Sequence, residues 1–561
     1  MNAQLNPQKT AYSDGKKSLR KAYDLILIGS GIGALTVASL MAQLRNKRVL
    51  ILERHFIAGG FTHTFQRKGF HWDPGLHYVG QMQAGSSTRN LFDLVTNQQV
   101  QWQKMPEPFE KFVYPGLSFD LYGDPKRFEA DLIERFPAES KAIRQYFKDI
   151  RKATAAMFLD AARRNNGVLF KAVAAVAKLW HGTDLNLTTQ EYLDQHFQDP
   201  QLKALLATQW LDYGVPPKES PFALHATIVS HYLNGGYYPV GGPGTIAKSV
   251  QKVVEAKGGQ VLVNREVTEI LLDGGEAAGV RVRNLRSKKE TFDEYYAPVV
   301  ISNAGVYNTY LKFIPESYPI PFRQSLQQFV QAHPPATNVS VYIGFSSDPH
   351  QLGFKGENHW IYNTFDHGRV DQQKGNWLQD GEPPQVYMSF PSLKDPDAKK
   401  HTAELIALID YDSFDPWRDQ TWLHRDEGYK TLKQRIQDKL LGMIERQYPG
   451  FSDLVEYCEV STPLTNEHFT AHPKGGMYGL PMHSERFAAD NQGWTRIKTP
   501  IPGLYMTGSD VYMLGIVGSM MGAMLTMGQL PDGISIPEGF TAAAKAKAKV
   551  NEETVAYVAS I

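Results

Sequence analysis

The sequence predicts an α/β fold in which a discontinuous, Rossmann-like domain carries an inserted mixed α+β domain. Three observations lead to this prediction. Residues 23–54 show the pattern of a strand, a glycine-rich turn, a helix and a second strand. Strand-like segments return within residues 236–310, and strand-like, glycine-rich sequence returns once more within residues 456–535. The stretches between them are helical or mixed in pattern, so we expect them to form the inserted domain.

The first unit begins with the apolar run Leu25–Ile28 and the turn GSGIGA. Gly29 lets the chain turn sharply, and Gly31 lets the backbone approach a pyrophosphate because it has no Cβ. Ala34 is small enough for the following helix to pack closely on the strand. The free N–H groups at the start of that helix then face the phosphates. This stretch therefore predicts a dinucleotide site.

An acidic residue closes the same unit. Glu53 follows the second apolar run, Val49–Leu52, and stands 24 residues after Gly29. A carboxylate at the end of this strand accepts hydrogen bonds from ribose hydroxyls. It also repels a 2′-phosphate, which disfavours NADP.

Composition excludes several classes of protein. The 561 residues allow two or more domains, and 59 Lys+Arg against 58 Asp+Glu leave a formal charge of +1, so no overall attraction to nucleic acid is expected. The single cysteine, Cys458, excludes an intrachain disulfide and indicates a reducing compartment. No apolar run reaches the roughly 18 residues of a membrane span, and the polar N-terminus lacks a secretory signal. We therefore expect a cytoplasmic protein.

The pattern along the chain also suggests domain boundaries. We expect the nucleotide-binding domain to comprise residues 20–80, 236–310 and 456–535, and the substrate-binding or cap domain to comprise residues 81–235 and 311–455. Residues 1–19 and 538–561 are expected to be flexible or solvated ends. The predicted strands are Gln260–Asn264, Val267–Leu272, Gly279–Val282, Pro298–Ser302 and Thr337–Phe345, and a long polar helix is expected near residues 427–447.

A second glycine-rich signature follows Glu53 directly. The pair Gly59-Gly60 permits backbone geometry that other residues rarely adopt and can bring main-chain amides against phosphates or a ring. Taken alone, the pair would equally suit an ordinary turn between two strands. The next segment, GFHWDPGLHYVG at residues 69–80, alternates polar and apolar residues like a strand that lines a cavity.

These motifs together resemble a known family. The GSGIG turn, the Glu-Arg…Gly-Gly pair and the late LYMTGSD segment are similar to the phytoene desaturase group of FAD-dependent oxidoreductases, which share an amine-oxidase-like fold. The run GGFTHTF…GFHWDPGLHYVG is most similar to the retinol saturase and carotenoid isomerase branch. The shared segments follow the family order from Gly29 to Gly522. The resemblance therefore implies FAD as the cofactor.

The resemblance also implies which residues hold the ADP part of FAD. Gly29, Gly31, Glu53 and Arg54 would bind it, with Ala34 standing where the family more often has glycine. Val267, on a strand after Gly258-Gly259, would contact adenine through its backbone.

A further set of residues is implied for the pyrophosphate and flavin. It comprises Gly59, Gly60, His63, Thr64, Gly508 and Asp510. The helix beginning near Gly518 would point its N-terminus at the flavin pyrimidine, where its dipole stabilises the negative charge of the reduced ring. Asp510 is better explained as a hydrogen-bond acceptor for the ribityl chain than as a catalytic acid.

The implied activity is FAD-dependent chemistry on the carbon–carbon double bonds of a hydrophobic polyene: a retinoid, a carotenoid or a polyunsaturated lipid. We expect a saturase or a cis–trans isomerase, with a carotenoid desaturase as the alternative. His63, Tyr78 or water would supply the proton, and His63 is equally explained as a structural hydrogen-bonding residue. No second GxGxxG unit follows a strand, so the electron donor or acceptor stays open.

Two other functions are compatible with the same fold. Rab GDP-dissociation inhibitors bind lipidated partners without FAD, so a non-catalytic lipid escort is one alternative. An amine oxidase is the other, although no amine-binding cage is recognisable in the sequence.

Two further features invite functional readings. His71, Asp73 and His77 share strand parity and suggest a metal site, but no other ligand accompanies them and we expect no metal. Residues 151–183 form a basic, apolar helical stretch that suits either contact with a membrane surface or a cover over the substrate cavity.

Overall fold

The computed structural model describes residues 23–165, 187–379, 381–488 and 493–560. Its strands are, in chain order, β1 (Leu25–Ile28), β2 (Val49–Leu52), β3 (Phe65–Arg67), β4 (Phe70–Trp72), β5 (Trp102–Lys104), β6 (Glu110–Tyr114), β7 (Leu117–Leu121), β8 (Tyr237–Pro239), β9 (Gln260–Leu262), β10 (Arg265–Asp273), β11 (Glu276–Asn284), β12 (Phe292–Tyr296), β13 (Val300–Ser302), β14 (Thr337–Phe345), β15 (Asn358–Tyr362), β16 (Gln385–Ser389), β17 (Thr402–Ile409), β18 (Val455–Ser461) and β19 (Leu504–Met506).

The α-helices are, in the same order, α1 (Ile32–Arg45), α2 (Ser87–Val95), α3 (Pro125–Arg135), α4 (Ser140–Asn165), α5 (Thr189–His196), α6 (Pro200–Ala207), α7 (Phe222–Tyr232), α8 (Gly244–Ala256), α9 (Gly305–Asn308), α10 (Arg323–Ala332), α11 (His367–Gln373), α12 (Pro391–Lys394), α13 (Glu427–Gln447), α14 (Pro463–Thr470), α15 (Ser484–Ala488), α16 (Gly515–Met527) and α17 (Ile536–Ser560). Strand β14 (Thr337–Phe345) and the long helix α13 (Glu427–Gln447) have the predicted bounds.

A five-stranded parallel sheet forms the nucleotide-binding half, with the order β19-β13-β1-β2-β9. Every residue of β1 and β2 is buried, because helices or strands cover both faces of the sheet. Alternate residues such as Leu25 and Leu27 pack under α1, α8 and α16, whereas Ile26 and Ile28 join the core on the opposite face. The predicted Rossmann-like α/β fold is therefore confirmed.

This sheet draws its strands from three separated parts of the chain. β1 and β2, then β9 and β13, and finally β19 lie within the three stretches that were assigned to the nucleotide-binding domain. β18 is different: it pairs with β14 in another sheet, so residues 456–461 belong with the inserted part. The two strands predicted after Gly258-Gly259 are both present with slightly different bounds, since β9 ends at Leu262 and β10 begins at Arg265.

A seven-stranded mixed sheet forms the inserted half, with the order β18-β14-β17-β16-β15-β6-β7. The sheet joins the two inserted stretches because β15 pairs with β6. This ladder is parallel, and the other ladders of the sheet are antiparallel. One face packs against α13. The opposite face carries Trp360, Tyr387 and Leu408 toward the nucleotide-binding half. A cavity can therefore form between the two sheets.

Helices close one side of that space. α4 packs along α7, and its Tyr146 and Ile150 are fully buried. Residues 151–165 thus belong to a helix of the cavity wall, and Phe158 lines the cavity. The rest of the stretch considered for membrane contact, residues 166–183, lies outside the described residues. Across the described ranges, no helix combines the length and apolar character that crossing a bilayer requires.

The C-terminal stretch differs from the expectation of a solvated end. It forms α17, and this helix packs along α2. Ala543 is 1% exposed, and the Lys547 ammonium lies 3.9 Å from the Asp93 carboxylate. Small alanine side chains let the two helices approach closely. The prediction of a solvated end did not take this packing into account.

Candidate functional site

One large cavity, of about 640 Å³, runs from the glycine-rich turn of the first unit to the cavity-facing side of the seven-stranded sheet. Its lining includes most of the residues that were predicted to bind the cofactor. The predicted set on the cavity wall comprises Gly29, Gly31, Glu53, Arg54, Gly59, Gly60, His63, Val267, Asp510 and Gly518, together with the predicted proton donor Tyr78. The chain thus brings together residues that lie up to nearly 490 positions apart in sequence.

The first glycine turn forms a cradle that has no room for a side chain. Gly29 has a φ of +86°, and Gly31 stands at the N-cap of α1 without a side-chain cap. A Cβ at Gly31 would lie 2.7 Å from the Asn303 amide nitrogen. Ala34 is fully buried in α1, where it packs helix against sheet. The uncapped N–H groups of α1 thus face the cavity, as an anionic ligand requires.

Glu53 stands at the cavity wall with its carboxylate already oriented. One oxygen accepts from the Ser30 amide at 2.8 Å and from the Ser30 hydroxyl at 2.6 Å. The other oxygen accepts from the His55 amide at 2.7 Å. These bonds hold an acceptor next to the glycine turn, where the ribose of the ligand was predicted to lie.

Arg54 and Val267 border the same end of the cavity. The Arg54 guanidinium donates to Glu266 at 2.8 Å, which ties the turn after β2 to β10. Val267 lies on β10, an edge strand of the sheet β10-β11-β12. An edge strand leaves backbone groups unpaired on its outer side, so the predicted backbone contact with adenine is open to it.

The second glycine pair packs directly on the first turn. Gly59 has a φ of +127° and Gly60 a φ of +56°, and a Cβ at Gly60 would lie 3.0 Å from the Gly31 Cα. Thr64, which was placed beside the flavin, is not on the cavity wall. Its hydroxyl donates to Asp73 at 3.0 Å and accepts from the Gly244 amide at 3.1 Å, so it ties two loops together behind the wall.

The late TGSD turn carries Asp510 to the centre of the cavity wall. Its two carboxylate oxygens accept from the Val306 amide at 2.8 Å and the Leu480 amide at 2.7 Å. Gly508 lies just behind the wall with a φ of +88°, where a Cβ would meet the Asn303 amide oxygen at 2.3 Å. The Arg486 guanidinium donates to the Asp510 carbonyl at 2.8 Å. Asp510 therefore holds the turn in place while facing the cavity.

The helix predicted to begin near Gly518 begins earlier, at Gly515. Neither this helix, α16, nor α1 has a side-chain cap, and the first residues of both line the cavity. Several helices that start away from the cavity carry caps, as at Asp124, Asp199 and Asp426, although others, as at Pro243 and Phe322, do not. Uncapped helix N-termini attract negative charge. Together with the glycine cradles and Glu53, they fit the pyrophosphate and the reduced ring of FAD.

A buried acidic cluster surrounds Tyr78. The Tyr78 hydroxyl donates to Asp212 at 3.2 Å, and the ring stacks on Tyr232 with a centroid distance of 4.2 Å. Glu110 is fully buried and accepts from Trp360 at 3.0 Å and from Gln209 at 2.8 Å. No cation pairs with either acid among the salt bridges of the described ranges. The buried Lys394 acts on Glu110 electrostatically but forms no salt bridge with either acid. Acids buried without a directly paired cation are costly, which marks this part of the cavity as a candidate functional region.

These surroundings favour the protonated forms. Removal from solvent and the nearby Glu110 raise the pKa of Asp212 well above its usual value. Burial raises the pKa of Glu110 to about 7, opposed by hydrogen bonds from Trp360 and Gln209 and by the positive charge of Lys394. Burial and the two acids also raise the pKa of Tyr78. The cluster thus retains protons near neutral pH.

His63 has the opposite character. Burial and the neighbouring His55 lower the pKa of His63 to about 4. Its Nδ1 lies 2.7 Å from the Gly60 carbonyl, which only accepts, so the ring proton sits on Nδ1 and is held by the backbone. His63 is therefore poorly suited to give a proton to a substrate, whereas the Tyr78 cluster is well suited.

Replacing Glu110 tests the charge balance of the cluster. The pKa of Glu110 in the folded protein is about 7, against an ordinary value of 4.5. The contribution of Glu110 to the free energy of unfolding therefore falls as pH rises between those values and stays level above them. The loss is on the order of 3 kcal/mol. Glu110→Gln removes this titration, so the thermal midpoint of the variant should rise relative to that of wild type as pH increases from 4.5 to 7. Glu456→Gln, an exposed acid on the same sheet, is the control; a constant difference for Glu110→Gln across this range would contradict the assignment.

The three-dimensional arrangement of His71, Asp73 and His77 does not support the hypothesis of a metal site. β4 ends at Trp72, so strand alternation stops before Asp73. Asp73 is buried and accepts from Thr64 and Tyr238, while the His77 Nδ1 lies 2.9 Å from Glu404. His71 is exposed.

Metal-binding side chains do approach one another elsewhere. The potential ligand atoms of His333, His483 and Glu485 lie within 4.8 Å of one another. There, however, the His483 Nδ1 already accepts from the Glu485 amide at 3.2 Å. Its other ring nitrogen then carries the proton in the neutral ring, so we assign no metal to this group.

Beyond the acidic cluster, the cavity wall is largely apolar. Its apolar and aromatic residues include Phe158, Leu211, Ile228, Trp360, Ile406, Leu408, Met477, Tyr512 and Met513. They come from the seven-stranded sheet, from the helical layer and from the segment before α16. Such a wall suits an extended hydrophobic ligand rather than a charged one.

Sequence reasoning missed Asn303, Glu110 and Asp212. Asn303 directly follows the predicted strand Pro298–Ser302, and its position after an apolar strand was an available signal. The others come from β6 and the residues after α6, and each looks like an ordinary polar residue in its own segment. No local pattern distinguished them.

The chain is similar to known flavin-dependent proteins in sequence and in fold. A family model described as flavin containing amine oxidoreductase matches residues 35–526. An all-trans-retinol 13,14-reductase from Danio rerio is 34% identical over 522 residues, covering 89% of this chain and 84% of the relative. Prolycopene isomerase 1, chloroplastic, from an Oncidium hybrid cultivar is 26% identical, with coverage of 89% and 82%. The crystal structure of an oxidoreductase from Methanosarcina mazei is similar in fold, with a TM-score of 0.59, 16% identity and coverage of 90% and 99%.

Proposed function

The chain belongs to the flavin-containing amine oxidoreductase family and is an FAD-dependent oxidoreductase, and we propose that it reduces a carbon–carbon double bond of a hydrophobic polyene. The predicted membership of the retinol saturase and carotenoid isomerase group is confirmed by the 34% identical retinol reductase. Because the chain belongs to a family of FAD-dependent oxidoreductases, the lipid-escort alternative has no support from the comparisons.

The observation that carries the proposal is the proton-holding cluster at the wall of an apolar cavity. Reduction of a double bond adds one hydride and one proton, so it needs an acid beside the reacting bond. Tyr78 and Asp212 both line the cavity, with 3.2 Å between the hydroxyl and the carboxyl oxygen. Isomerisation leaves the hydrogen count of the substrate unchanged and has no such requirement. The cluster therefore favours the saturase over the isomerase.

FAD, when bound, supplies the hydride equivalents that the reduction consumes. The chain's own residues would do the rest. The apolar wall would hold the polyene and exclude water from the reacting bond. The Tyr78 hydroxyl would donate the proton to the neighbouring carbon, and Asp212, whose pKa burial raises, would restore the phenol through their hydrogen bond.

The mass of the product tests this proposal. Anaerobically reduced protein is incubated with a retinoid, a carotenoid or a polyunsaturated acyl substrate. We expect a product that is two hydrogens heavier. An isomer of unchanged mass would identify an isomerase instead, and a product two hydrogens lighter from the oxidised protein would identify a desaturase. No change in any substrate would remove the polyene proposal.

Two expectations from the sequence stay predictions. One is contact of residues 151–183 with a membrane surface, which was weighed against a cover over the cavity, and the other is a cytoplasmic location. The electron donor or acceptor stays open. Sedimentation with liposomes, compared between the full chain and a variant with 166–183 replaced by a Gly/Ser linker, addresses the first.

A further inference from the structure

One buried ammonium lies behind the loop that carries Tyr78. Lys394 ends α12 and is 2% exposed. Its Nζ donates to the Asn358 side-chain oxygen at 2.6 Å, to the Ser389 hydroxyl at 2.7 Å and to the His77 carbonyl at 3.0 Å. An ammonium has three N–H donors, so all of them are used. Every acceptor is neutral, and a buried charge held only by neutral groups is costly, which indicates a role beyond packing.

These three contacts fasten the Tyr78 loop to the seven-stranded sheet. The His77 carbonyl belongs to the peptide bond that leads into Tyr78. Asn358 begins β15, where it stands opposite Glu110 in the parallel ladder with β6, and Ser389 ends β16. The ammonium thus connects the backbone of the proposed proton donor with two strands of that sheet. A displacement of about 1 Å in an active site can cost about 100-fold in rate, so this connection bears on proton delivery.

Four buried carboxyl groups act on this ammonium from different elements. They are Glu110 on β6, Glu404 on β17, Asp73 after β4 and Glu357 before β15, and none is more than 5% exposed. The other titratable groups beside these acids are His77, whose Nδ1 lies 2.9 Å from Glu404, Tyr387, whose ring centroid lies 5.4 Å from that of His77, and Tyr238, which donates to Asp73. Asp395 follows Lys394 directly but accepts from the Gly241 amide at 3.1 Å.

The charge of Lys394 and the protons of the acids depend on one another. Burial lowers the pKa of Lys394 to about 7, against the attraction of the four carboxyl groups. Burial raises the pKa of Glu110 and of Asp73, and the charge of Lys394 opposes both shifts. A single ammonium cannot neutralise four carboxylates, so its charge influences how many of them keep a proton.

We infer that Lys394 is a positioning residue for proton delivery: its ammonium fixes the Tyr78 loop against the sheet and supplies positive charge to the buried acids beside that loop. This inference rests on the proposed function, since it assigns a supporting residue to the proposed proton donor. Lys394 does not line the cavity, so it acts through Tyr78 and Glu110 rather than on the substrate.

Lys394→Met tests the positioning. Methionine keeps much of the side-chain length but has no charge and no N–H donor. In single-turnover oxidation of the reduced, FAD-loaded protein, we expect the limiting rate to fall about 10- to 100-fold, because the donor is no longer held in place. The half-saturating substrate concentration should stay unchanged. The probe is all-trans-retinol, β-carotene or linoleic acid, whichever wild type reduces.

The control for this variant is Lys439→Met on α13. The Lys439 ammonium also donates to backbone carbonyls, those of Trp377 and Gly381, but it does not line the cavity. Its limiting rate should match that of wild type. A wild-type limiting rate in Lys394→Met would overturn the inference.

The titration of Glu110 tests the charge without any turnover. As pH rises, the difference in thermal midpoint between Glu110→Gln and wild type should level off near pH 7. In a Lys394→Met background the same difference should level off at a higher pH, because no ammonium then opposes the retention of the Glu110 proton. A purely structural lysine would lower all the midpoints and leave the levelling point unchanged, and that result would refute the inference.

Asn358→Asp changes the charge without removing any atom of Lys394. The new carboxylate would pair with the ammonium across the 2.6 Å contact and compensate its charge, while the contact with the His77 carbonyl stays. We expect the levelling point of Glu110 to move to higher pH, with a smaller loss of rate than in Lys394→Met. Where Lys394→Met does not fold, this variant decides alone, and an unchanged levelling point contradicts the inference.

The outcomes also distinguish this inference from the proposed function. A shifted levelling point together with no reduced product from wild type would leave the coupling between Lys394 and Glu110 in place while the reductase proposal fails. A reduced product formed by Lys394→Met at the wild-type rate would leave the reductase proposal intact while the role of Lys394 fails.

Discussion

Gly31→Trp should fold but purify without FAD. Even a Cβ at this position would lie 2.7 Å from the Asn303 amide nitrogen, and an indole would also fill the space in front of the α1 N-terminus. The pyrophosphate then has neither room nor N–H donors, so we expect FAD affinity to fall at least about 100-fold. The flavin-to-protein absorbance ratio of the purified protein measures the loss.

Gly442→Trp provides the matched control for this change. Gly442 lies within α13, where a Cβ would meet nothing closer than 3.7 Å, so the same substitution is tolerated far from the cavity. Circular dichroism shows whether both variants are folded. A folded Gly31→Trp protein with a normal flavin content would refute the assignment of the cradle to FAD.

Tyr78→Phe should lower the rate of double-bond reduction by about 100- to 10,000-fold, the usual range for losing a positioned acid. The phenylalanine ring can keep the stack on Tyr232 but cannot carry the proton. Binding of the substrate should change little, since the lost hydroxyl bonds to Asp212 rather than to the apolar wall. Single-turnover oxidation of the reduced protein by substrate gives the rate directly.

Two companion variants make the Tyr78 result specific. Asp212→Asn should lower the same rate. It should also remove the decline of activity that we expect of wild type as pH rises through the raised pKa of Asp212. Tyr457→Phe loses a hydroxyl that also donates to a carboxylate, at 3.0 Å, but outside the cavity, so its rate should match wild type. Unchanged turnover in Tyr78→Phe would move the proton source elsewhere.

Much of the nucleotide-binding half could be predicted because its information is local. The glycine turn, Glu53 and the Gly59-Gly60 pair lie within 32 consecutive residues, from Gly29 to Gly60, and each glycine meets a steric demand within that stretch. Backbone geometry of this kind leaves a readable sequence pattern, because only one residue type satisfies it.

The predictions that failed depended on where an element ends or what packs on it. Strand parity suggested that His71 and Asp73 share one face, although no metal was expected there, yet β4 ends at Trp72. Thr64 follows the glycine pair in sequence, but its hydroxyl turns toward Asp73 and Gly244. The C-terminal helix was expected to be solvated, yet it packs along α2. Each outcome was decided by a partner distant in sequence.

The sequence by itself determined the fold class and the cofactor, because a dinucleotide cradle is built from contiguous backbone. Only the tertiary structure decided the chemistry at the reacting end of the cavity. Glu110 and Asp212 come from distant segments and acquire their character from the surroundings of Tyr78 at the cavity wall. Their raised pKa values are properties of an environment from which water is removed, and that environment exists only once the two sheets and the helical layer have closed around it.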